Sequence, residues 1–210
     1  MNRYILAKNG YRRALKGNAS RAHNRRIKEG FYERYIVGTG IDIGCSTHER
    51  SIHPSVFLWD KQIGSGDATY MKGVSNNFFS FVYASHILEH LVNRKTALQN
   101  WLRIVKPGGY LIVCVPERDL FEEKNKLPSI YNPDHKCFFK LDTQEAPDTV
   151  SFNGLIQETF ANNEVEIIYS KICDADWPGQ KNRTIEHKRK EMPIGEFQIE
   201  CVMRKKNNEK

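Results

Sequence analysis

The stretch that decides the fold reads Gly40-Ile41-Asp42-Ile43-Gly44-Cys45-Ser46, an apolar segment with an acid, followed by a turn of small residues. The apolar run begins upstream at residues 35–37, which is typical of a parallel strand buried on both faces. Gly44 and Ser46 permit a tight turn, so a ligand can approach the backbone closely. Open α/β sheets bind their ligands at the carboxyl ends of such strands. The stretch therefore predicts an α/β domain with a ligand site directly after this strand.

Length and charge together indicate one domain with basic ends. The chain has 210 residues, which is enough for one sizeable core. Residues 1–34 hold ten Lys or Arg against two Glu, and we predict that they form a basic helical segment able to fold over the sheet edge as a lid. We expect the main domain at residues 35–203 and a basic tail at residues 204–210.

The basic N-terminal segment also suggests a class of partner. Positive charge attracts nucleic acid, anionic lipid or a phosphorylated small substrate. We predict that an anionic substrate is met by the segment's arginines, namely Arg12, Arg13, Arg21, Arg25 and Arg26. The alternative is a solvated helix face with no partner.

Neither a membrane anchor nor a disulfide framework is visible in the sequence. No run of about 18 apolar residues is present, and residues 1–10 lack the apolar core of a signal peptide. The five cysteines are odd in number, widely spaced and without a Cys-x-x-Cys pair, which favours reduced thiols. We therefore expect a cytosolic protein, in which Cys45 is a small residue beside a ligand rather than a nucleophile.

Two acids follow the next predicted strand, at residues 56–60. Asp60 ends this strand 16 residues beyond Gly44, close to the interval at which an acid binds a ribose in nucleoside-binding α/β folds. Asp67 follows in Gly66-Asp67-Ala68 and can accept a hydrogen bond from an exocyclic amine. Either acid can instead serve only its local turn. Because a helix and a strand do not fit between Asp60 and Gly66, the sheet must be abbreviated here.

A cluster of polar side chains is predicted after the aromatic strand at residues 78–84. If a helix begins near Ser85, His86, Glu89 and His90 share one of its faces. They can orient a substrate, act as a general base, ligate a divalent metal, or simply pack beside a ligand. His135, in the polar segment 118–149, is either a base delivered by a loop or a histidine that bonds its own loop.

The remaining pattern completes the predicted sheet. We predict a helix at residues 96–105, a strand at residues 110–115 and a helix at residues 150–162. Residues 165–169 and 197–203 alternate and are predicted to pair as antiparallel strands.

This ordered series resembles the class I S-adenosylmethionine-dependent methyltransferases, in particular the type 11 small-molecule group. The resemblance spans about residues 36–116, and its most specific part is Leu88-Glu89-His90 followed by Lys106-Pro107-Gly108-Gly109. It implies a single Rossmann-like α/β domain, with a mostly parallel twisted sheet, an antiparallel C-terminal strand and helices on both faces. Ser46 and His48 depart from the family pattern, which usually has glycine at both positions.

The resemblance also implies the cofactor, S-adenosylmethionine, and its contacts. It places the first turn near the methionine end, Asp60 on the ribose, Asp67 and Ala68 on adenine, and Ser85 and His86 beside the sulfonium. The first-turn residues concerned are Asp42, Gly44, Cys45 and Ser46.

The predicted function is methyl transfer to an oxygen of a small anionic acceptor, such as a sugar, nucleotide sugar or phosphorylated precursor. The predicted catalytic residues are His86, Glu89, His90 and His135, with no metal assigned. Relatives of this kind suggest a place in capsule or lipopolysaccharide biosynthesis. The alternatives are an RNA methyltransferase guided by the basic N-terminal segment and a non-catalytic binding protein with this fold.

Overall fold

A computed structural model describes residues 18–45, 51–53, 55–122, 126–174 and 195–207. The predictions for Arg12, Arg13, Ser46 and His48 lie outside these residues. The α-helices are α1 (Asn18–Lys28), α2 (Phe31–Tyr35), α3 (Arg94–Ile104) and α4 (Phe152–Thr159). The strands are β1 (Gly40–Ile43), β2 (Phe57–Trp59), β3 (Phe79–Ser85), β4 (Val105–Pro116), β5 (Phe138–Lys140), β6 (Thr149–Ser151), β7 (Val165–Cys173) and β8 (Gln198–Lys205).

The main sheet has the strand order β2-β1-β3-β4-β8-β7. The first four strands are parallel, and β8 runs antiparallel to both β4 and β7. The predicted fold is therefore confirmed, including the antiparallel pairing near the C-terminus. The last strand, β8, continues to Lys205, so the first two residues of the predicted tail lie in the sheet.

The abbreviated part of the sheet is also confirmed. Residues 60–78 are all described, and they contain turns and a short 3₁₀ helix (Lys61–Ile63) but no strand. Helix α3 holds this connection in place, because Trp101 Nε1 donates to the Ala68 carbonyl at 2.8 Å and Arg103 Nη1 donates to the Val74 carbonyl at 2.8 Å.

Apolar side chains cover both faces of the sheet because its strands alternate between two cores. Ile41, Val82 and Leu111 lie in a core shared with α3 and α4. On the opposite face, Phe81 and Tyr83 lie in a core shared with α2. Helices therefore cover both faces, as the resemblance implied. None of the helices in the described ranges has the length and apolar character needed to cross a membrane.

The prediction of a helix beginning near Ser85 is wrong. Strand β3 continues through Ser85, and the amide of His86 donates to the Cys114 carbonyl of β4 at 2.9 Å. His86 then adopts a left-handed conformation (φ 55°), which turns the chain away from the sheet. Only a 3₁₀ turn, Leu88–His90, follows before α3 begins at Arg94. Pairing with β4 thus overrides the helical pattern.

A buried ion cluster joins α1 to the sheet. Arg26 Nη2 lies 2.6 Å from Glu200 Oε2, and Arg25 Nη2 lies 2.8 Å from the same oxygen. Arg25 also pairs with Glu196 at 2.7 Å. Because Arg25 and Arg26 bind these acids, they are not available to an anionic substrate, and that part of the prediction is corrected.

Glu200 is expected to contribute strongly to stability. Replacing it (Glu200→Gln) leaves Arg26 buried without its carboxylate partner, and removal of one partner of a buried ion pair costs roughly 3 kcal/mol or more. Urea unfolding should show this loss in the free energy of unfolding. The matched control is Glu166→Gln on β7, where the side chain is exposed, with an expected change within about 0.5 kcal/mol. A Glu200→Gln variant as stable as the control would contradict the role given to the cluster.

The same carboxylate should make stability depend on pH. Although burial alone raises the pKa of Glu200, the charges of Arg26 and Arg25 outweigh it and lower the pKa from 4.5 to about 2. A carboxyl whose pKa is lower in the folded state stabilises the fold above its unfolded pKa and loses this contribution as the pH falls. The stability difference between the wild type and Glu200→Gln should therefore shrink as the pH falls from about 4.5 towards 2. Urea unfolding at a series of pH values measures it, and a constant difference would contradict this prediction.

Candidate active site

The first turn lies at the carboxyl end of β1 and is built around Gly44. Gly44 has φ 82°, a conformation that favours glycine, and its amide donates to the Trp59 carbonyl at 2.9 Å. A Cβ at Gly44 would lie 2.8 Å from Cβ of Ile87, so the turn after β1 and the turn after β3 are in close contact. A larger residue would push these two turns apart.

Asp42 and Cys45 lie largely beneath the surface of this turn. The Asp42 carboxylate is buried and accepts a hydrogen bond from the amide of Ile52 at 2.6 Å, which holds Ile52 beside β1. Burial raises the pKa of Asp42 to about 8. Burial also raises the pKa of the Cys45 thiol to about 12. A thiol with this pKa stays protonated at neutral pH, in agreement with its interpretation as a small residue rather than a nucleophile.

The second turn follows β2 and brings together Asp60, Asp67 and Ala68. Asp60 accepts from the Gln62 amide at 2.8 Å and caps the 3₁₀ helix. Asp67 accepts from the Thr69 amide at 2.7 Å and pairs with Lys61 at 3.0 Å. The Thr69 hydrogen bond is the main cause that lowers the pKa of Asp67. The Asp67 carboxylate is therefore ionised at neutral pH, and each of the two carboxylates has a structural role in its turn.

The third turn, after β3, places Ser85 and His86 opposite β8. His86 Nε2 lies 3.1 Å from Gln198 Oε1, and Gln198 Nε2 donates to Glu196 at 2.9 Å. With this orientation of the Gln198 amide, His86 donates through Nε2 and keeps its lone pair on Nδ1. Nδ1 faces Glu89, with 3.7 Å between Nδ1 and Glu89 Oε1.

Glu89, His90 and His135 form a cluster beside His86. One possible ligand atom from each of the three lies within 4.8 Å of the others. His90 Nε2 is 3.9 Å from Glu89 Oε1, and the rings of His90 and His135 pack edge to face at 4.8 Å. The predicted catalytic residues thus come together, although through a strand end and a 3₁₀ turn rather than one helix face.

Both histidines of this cluster are held by carboxylates on the far side of the ring. His135 Nδ1 lies 3.0 Å from Glu122 Oε1, and His90 Nδ1 lies 3.1 Å from Asp134 Oδ2. Glu122 is itself buried and accepts from Ser129 Oγ at 2.5 Å. The backbone is tied as well, because the Lys136 amide donates to the Glu89 carbonyl at 2.7 Å. These contacts fix the segment around His135 against the turn after β3.

Burial shifts the pKa values of the site in opposite directions for acid and base. It lowers the pKa of His86 to about 4 and also lowers the pKa of His90. It raises the pKa of Glu89 to about 7. His86 and His90 are therefore neutral imidazoles at neutral pH, each with a nitrogen lone pair to offer.

Comparisons with known proteins identify the family to which this chain belongs. A family model described as a methyltransferase domain matches residues 22–146, more than half of the chain. The chain belongs to this methyltransferase family. This family agrees with the resemblance to S-adenosylmethionine-dependent methyltransferases. The narrower type 11 group and the link to surface polysaccharides stay predictions.

A curated relative shares part of the sequence. The ubiquinone/menaquinone biosynthesis C-methyltransferase UbiE of Coxiella burnetii (strain RSA 493) is 25% identical over 100 residues, which are 48% of this chain and 39% of UbiE. The match thus spans less than half the length of that relative.

Solved structures support the fold. The YcgJ protein of Bacillus subtilis aligns with a TM-score of 0.51 and 14% identity, over 89% of this chain and 99% of YcgJ. A methyltransferase solved in complex with the Trm112 activator of Haloferax volcanii aligns with a TM-score of 0.52 and 11% identity, over 90% of this chain and 95% of that chain.

The turns of this methyltransferase fit the cofactor of its family. Gly44 keeps the first turn free of a side chain, so that this turn packs closely against Ile87 and its backbone can be approached by a ligand. The carboxylates of Asp60 and Asp67 can accept hydrogen bonds from ribose hydroxyls and an amine. The indole N–H of Trp59 is buried with no hydrogen-bond partner in the described part of the chain. We propose that these turns hold the cofactor as predicted, with Ser85 and His86 near its sulfonium.

Sequence reasoning missed the residues that position the cluster. Gln198 and Glu122 were not singled out, yet they hold His86 and His135. Glu122 gives no local signal, because it ends a short π-helix, Arg118–Glu122, in a polar stretch without a clear periodicity. Gln198 and Glu200 do give one, because they are polar residues that alternate with apolar ones at the start of β8.

Asp60 provides a direct test of the cofactor site. Loss of hydrogen bonds to a charged acceptor costs about 1.5–3 kcal/mol, so Asp60→Ala should weaken binding of S-adenosylmethionine and S-adenosylhomocysteine roughly tenfold or more. Calorimetric titration measures both ligands. The control is Glu158→Ala on α4, where the side chain is exposed. Equal affinity of the Asp60→Ala and control proteins would remove Asp60 from the ribose site.

Proposed function

We propose that this methyltransferase transfers the methyl group to a hydroxyl oxygen of a small acceptor. The observation that carries the proposal is the buried Glu89 carboxylate, which faces three imidazoles at the carboxyl edge of the sheet. A neutral amine already carries the lone pair that attacks the methyl group, so it has less need of such groups. A hydroxyl is a poor nucleophile until its proton is removed, so it gains most from nearby proton acceptors.

S-adenosylmethionine, when bound, supplies a methyl group on a positively charged sulfur. The protein's part is to hold the acceptor oxygen in line with that group and to promote loss of its proton. We assign the second task to Glu89, His90 and His135. His86 is assigned to the space between this cluster and the first turn, because its ring lies near Glu89 and it directly precedes Ile87, which packs against Gly44.

A fixed arrangement of these groups supports catalysis rather than simple binding. Glu122, Asp134 and Gln198 hold the three imidazoles in defined orientations. Catalytic groups lose efficiency steeply when they are displaced by about 1 Å, so such anchoring is expected where proton transfer must be aligned.

The charge of the acceptor is left open by this site. The prediction of an anionic acceptor depended on five arginines, and Arg25 and Arg26 are bound to Glu196 and Glu200. The same pairing weakens the alternative of RNA guided by the N-terminal segment. A sugar or nucleotide sugar stays the acceptor class proposed, and surface-polysaccharide assembly stays a prediction of the resemblance.

The experiment is a methyl-transfer assay with a panel of sugars and nucleotide sugars, followed by location of the new methyl group by mass spectrometry and NMR. We expect the methyl group on oxygen. Glu89→Gln and His135→Asn should each lower kcat about 100-fold or more, the usual contribution of positioned proton-transfer groups, while the affinity for S-adenosylmethionine stays within a few fold of the wild type.

The control for these variants is Glu166→Gln, which should retain full activity. A product methylated on carbon, as the name of the relative UbiE states for that protein, would contradict the proposed acceptor atom. Full turnover by both His90→Ala and His135→Ala would remove the cluster from catalysis. A folded chain that binds neither S-adenosylmethionine nor S-adenosylhomocysteine would contradict the cofactor site itself.

A further inference from the structure

We propose that Glu89, His90 and His135 bind a divalent metal ion. The three residues come from two separate segments and offer one ligand atom each, all within 4.8 Å of one another. Two imidazole nitrogens and one carboxylate oxygen are a competent ligand set for Zn²⁺, Mn²⁺ or Fe²⁺, and they leave further coordination positions open. Protein ligands lie about 2.0–2.2 Å from such an ion, so the side chains would draw slightly closer together on binding.

Glu89 points independently to a missing positive partner. Its side chain is 2% exposed, and neither carboxylate oxygen has a hydrogen-bond partner in the described ranges. A carboxylate buried in this way is costly unless it is paired, hydrogen-bonded or bound to a metal. Two imidazole nitrogens lie near Oε1, His86 Nδ1 at 3.7 Å and His90 Nε2 at 3.9 Å, and both are beyond hydrogen-bonding distance. An ion between Glu89 and the histidines would satisfy it.

The orientation of the two histidines also favours a metal. Metal-binding histidines usually donate their second ring N–H to a carboxylate or carbonyl, which fixes the tautomer and the ring direction. Nδ1 of His135 lies beside the Glu122 carboxylate, and Nδ1 of His90 lies beside the Asp134 carboxylate. Both rings therefore keep Nε2 as the coordinating nitrogen. For His90, this is the nitrogen that faces Glu89.

The ion would act on the acceptor. An acceptor hydroxyl bound at an open coordination position would lose its proton more readily, because a divalent ion stabilises the oxyanion, and the proton would pass to Nδ1 of His86, which the ion does not occupy. This use of the ion depends on the proposed function, whereas binding of the ion does not. The two can therefore be tested separately.

Metal binding is tested on tag-free, chelator-treated protein titrated with Mn²⁺, with free Mn²⁺ followed by electron paramagnetic resonance and Zn²⁺ content followed by elemental analysis. We expect one ion for each chain. Glu89→Gln should weaken Mn²⁺ binding about 100-fold or more. Asp134→Asn changes an exposed side chain that contacts His90 and Lys136 but is not a proposed ligand, and it should weaken Mn²⁺ binding about 10-fold to 100-fold. Glu166→Gln is the matched control and should bind as the wild type does.

Cofactor titration of the same samples separates the two proposals. Wild-type protein that binds S-adenosylmethionine but takes up no stoichiometric Mn²⁺ or Zn²⁺ would overturn the metal site and leave the methyltransferase function standing. Stoichiometric metal binding unchanged in both Glu89→Gln and Asp134→Asn would also overturn this site, because the ion would then lie elsewhere. If metal binds as expected, chelation should abolish turnover without weakening S-adenosylmethionine binding, and full turnover after chelation would overturn the ion's role with the acceptor.

Discussion

One backbone hydrogen bond governs the site, the one from the His86 amide to the Cys114 carbonyl. It extends the pairing of β3 and β4 by one residue beyond Ser85. The helix that the sequence pattern favours therefore cannot begin there. His86 must then turn sharply in a left-handed conformation. As a result, Glu89 and His90 leave the sheet in a 3₁₀ turn and meet the segment of His135. A helix starting at Ser85 would have presented the same residues along one face, without that meeting.

The basic N-terminal segment shows that charged residues in a sequence can form buried ion pairs. Arg25 and Arg26 reach from α1 to Glu196, just before β8, and to Glu200 within β8. Gln198, between these two acids in the sequence, contacts His86. Helix α1 is therefore coupled to the edge of the sheet that holds the candidate site through the side chains of Glu196, Gln198 and Glu200. A buried pair of this type contributes less to stability than its charges suggest, because desolvation offsets the attraction. Its larger effect is to fix where α1 and β8 lie relative to the site.

The sheet could be predicted from the sequence because its strands are locally apolar and end at marked turns. The missing strand after Asp60 followed from chain length alone, since too few residues separate Asp60 from Gly66. His86 and the cluster of Glu89, His90 and His135 were singled out from the sequence as polar residues at strand ends and in a loop, and their catalytic role stays a prediction. Their neighbours were not predicted, because Glu122 and Gln198 reach the site only through long-range packing. Ser46 lies outside the described residues, so its part in the first turn stays a prediction.

The strongest argument that this edge of the sheet binds something lies in its energetics. Glu89 is buried with no hydrogen bond to either oxygen in the described chain, and an uncompensated buried charge costs several kcal/mol. The whole stability of a domain is only about 5–15 kcal/mol, so a cost of this size is a substantial part of it. Protonation of Glu89 reduces the cost, consistent with a pKa raised by burial to about 7. A cation shared with His90 and His135 removes this energetic cost more completely. The cation also binds two imidazoles that carboxylates already hold in place.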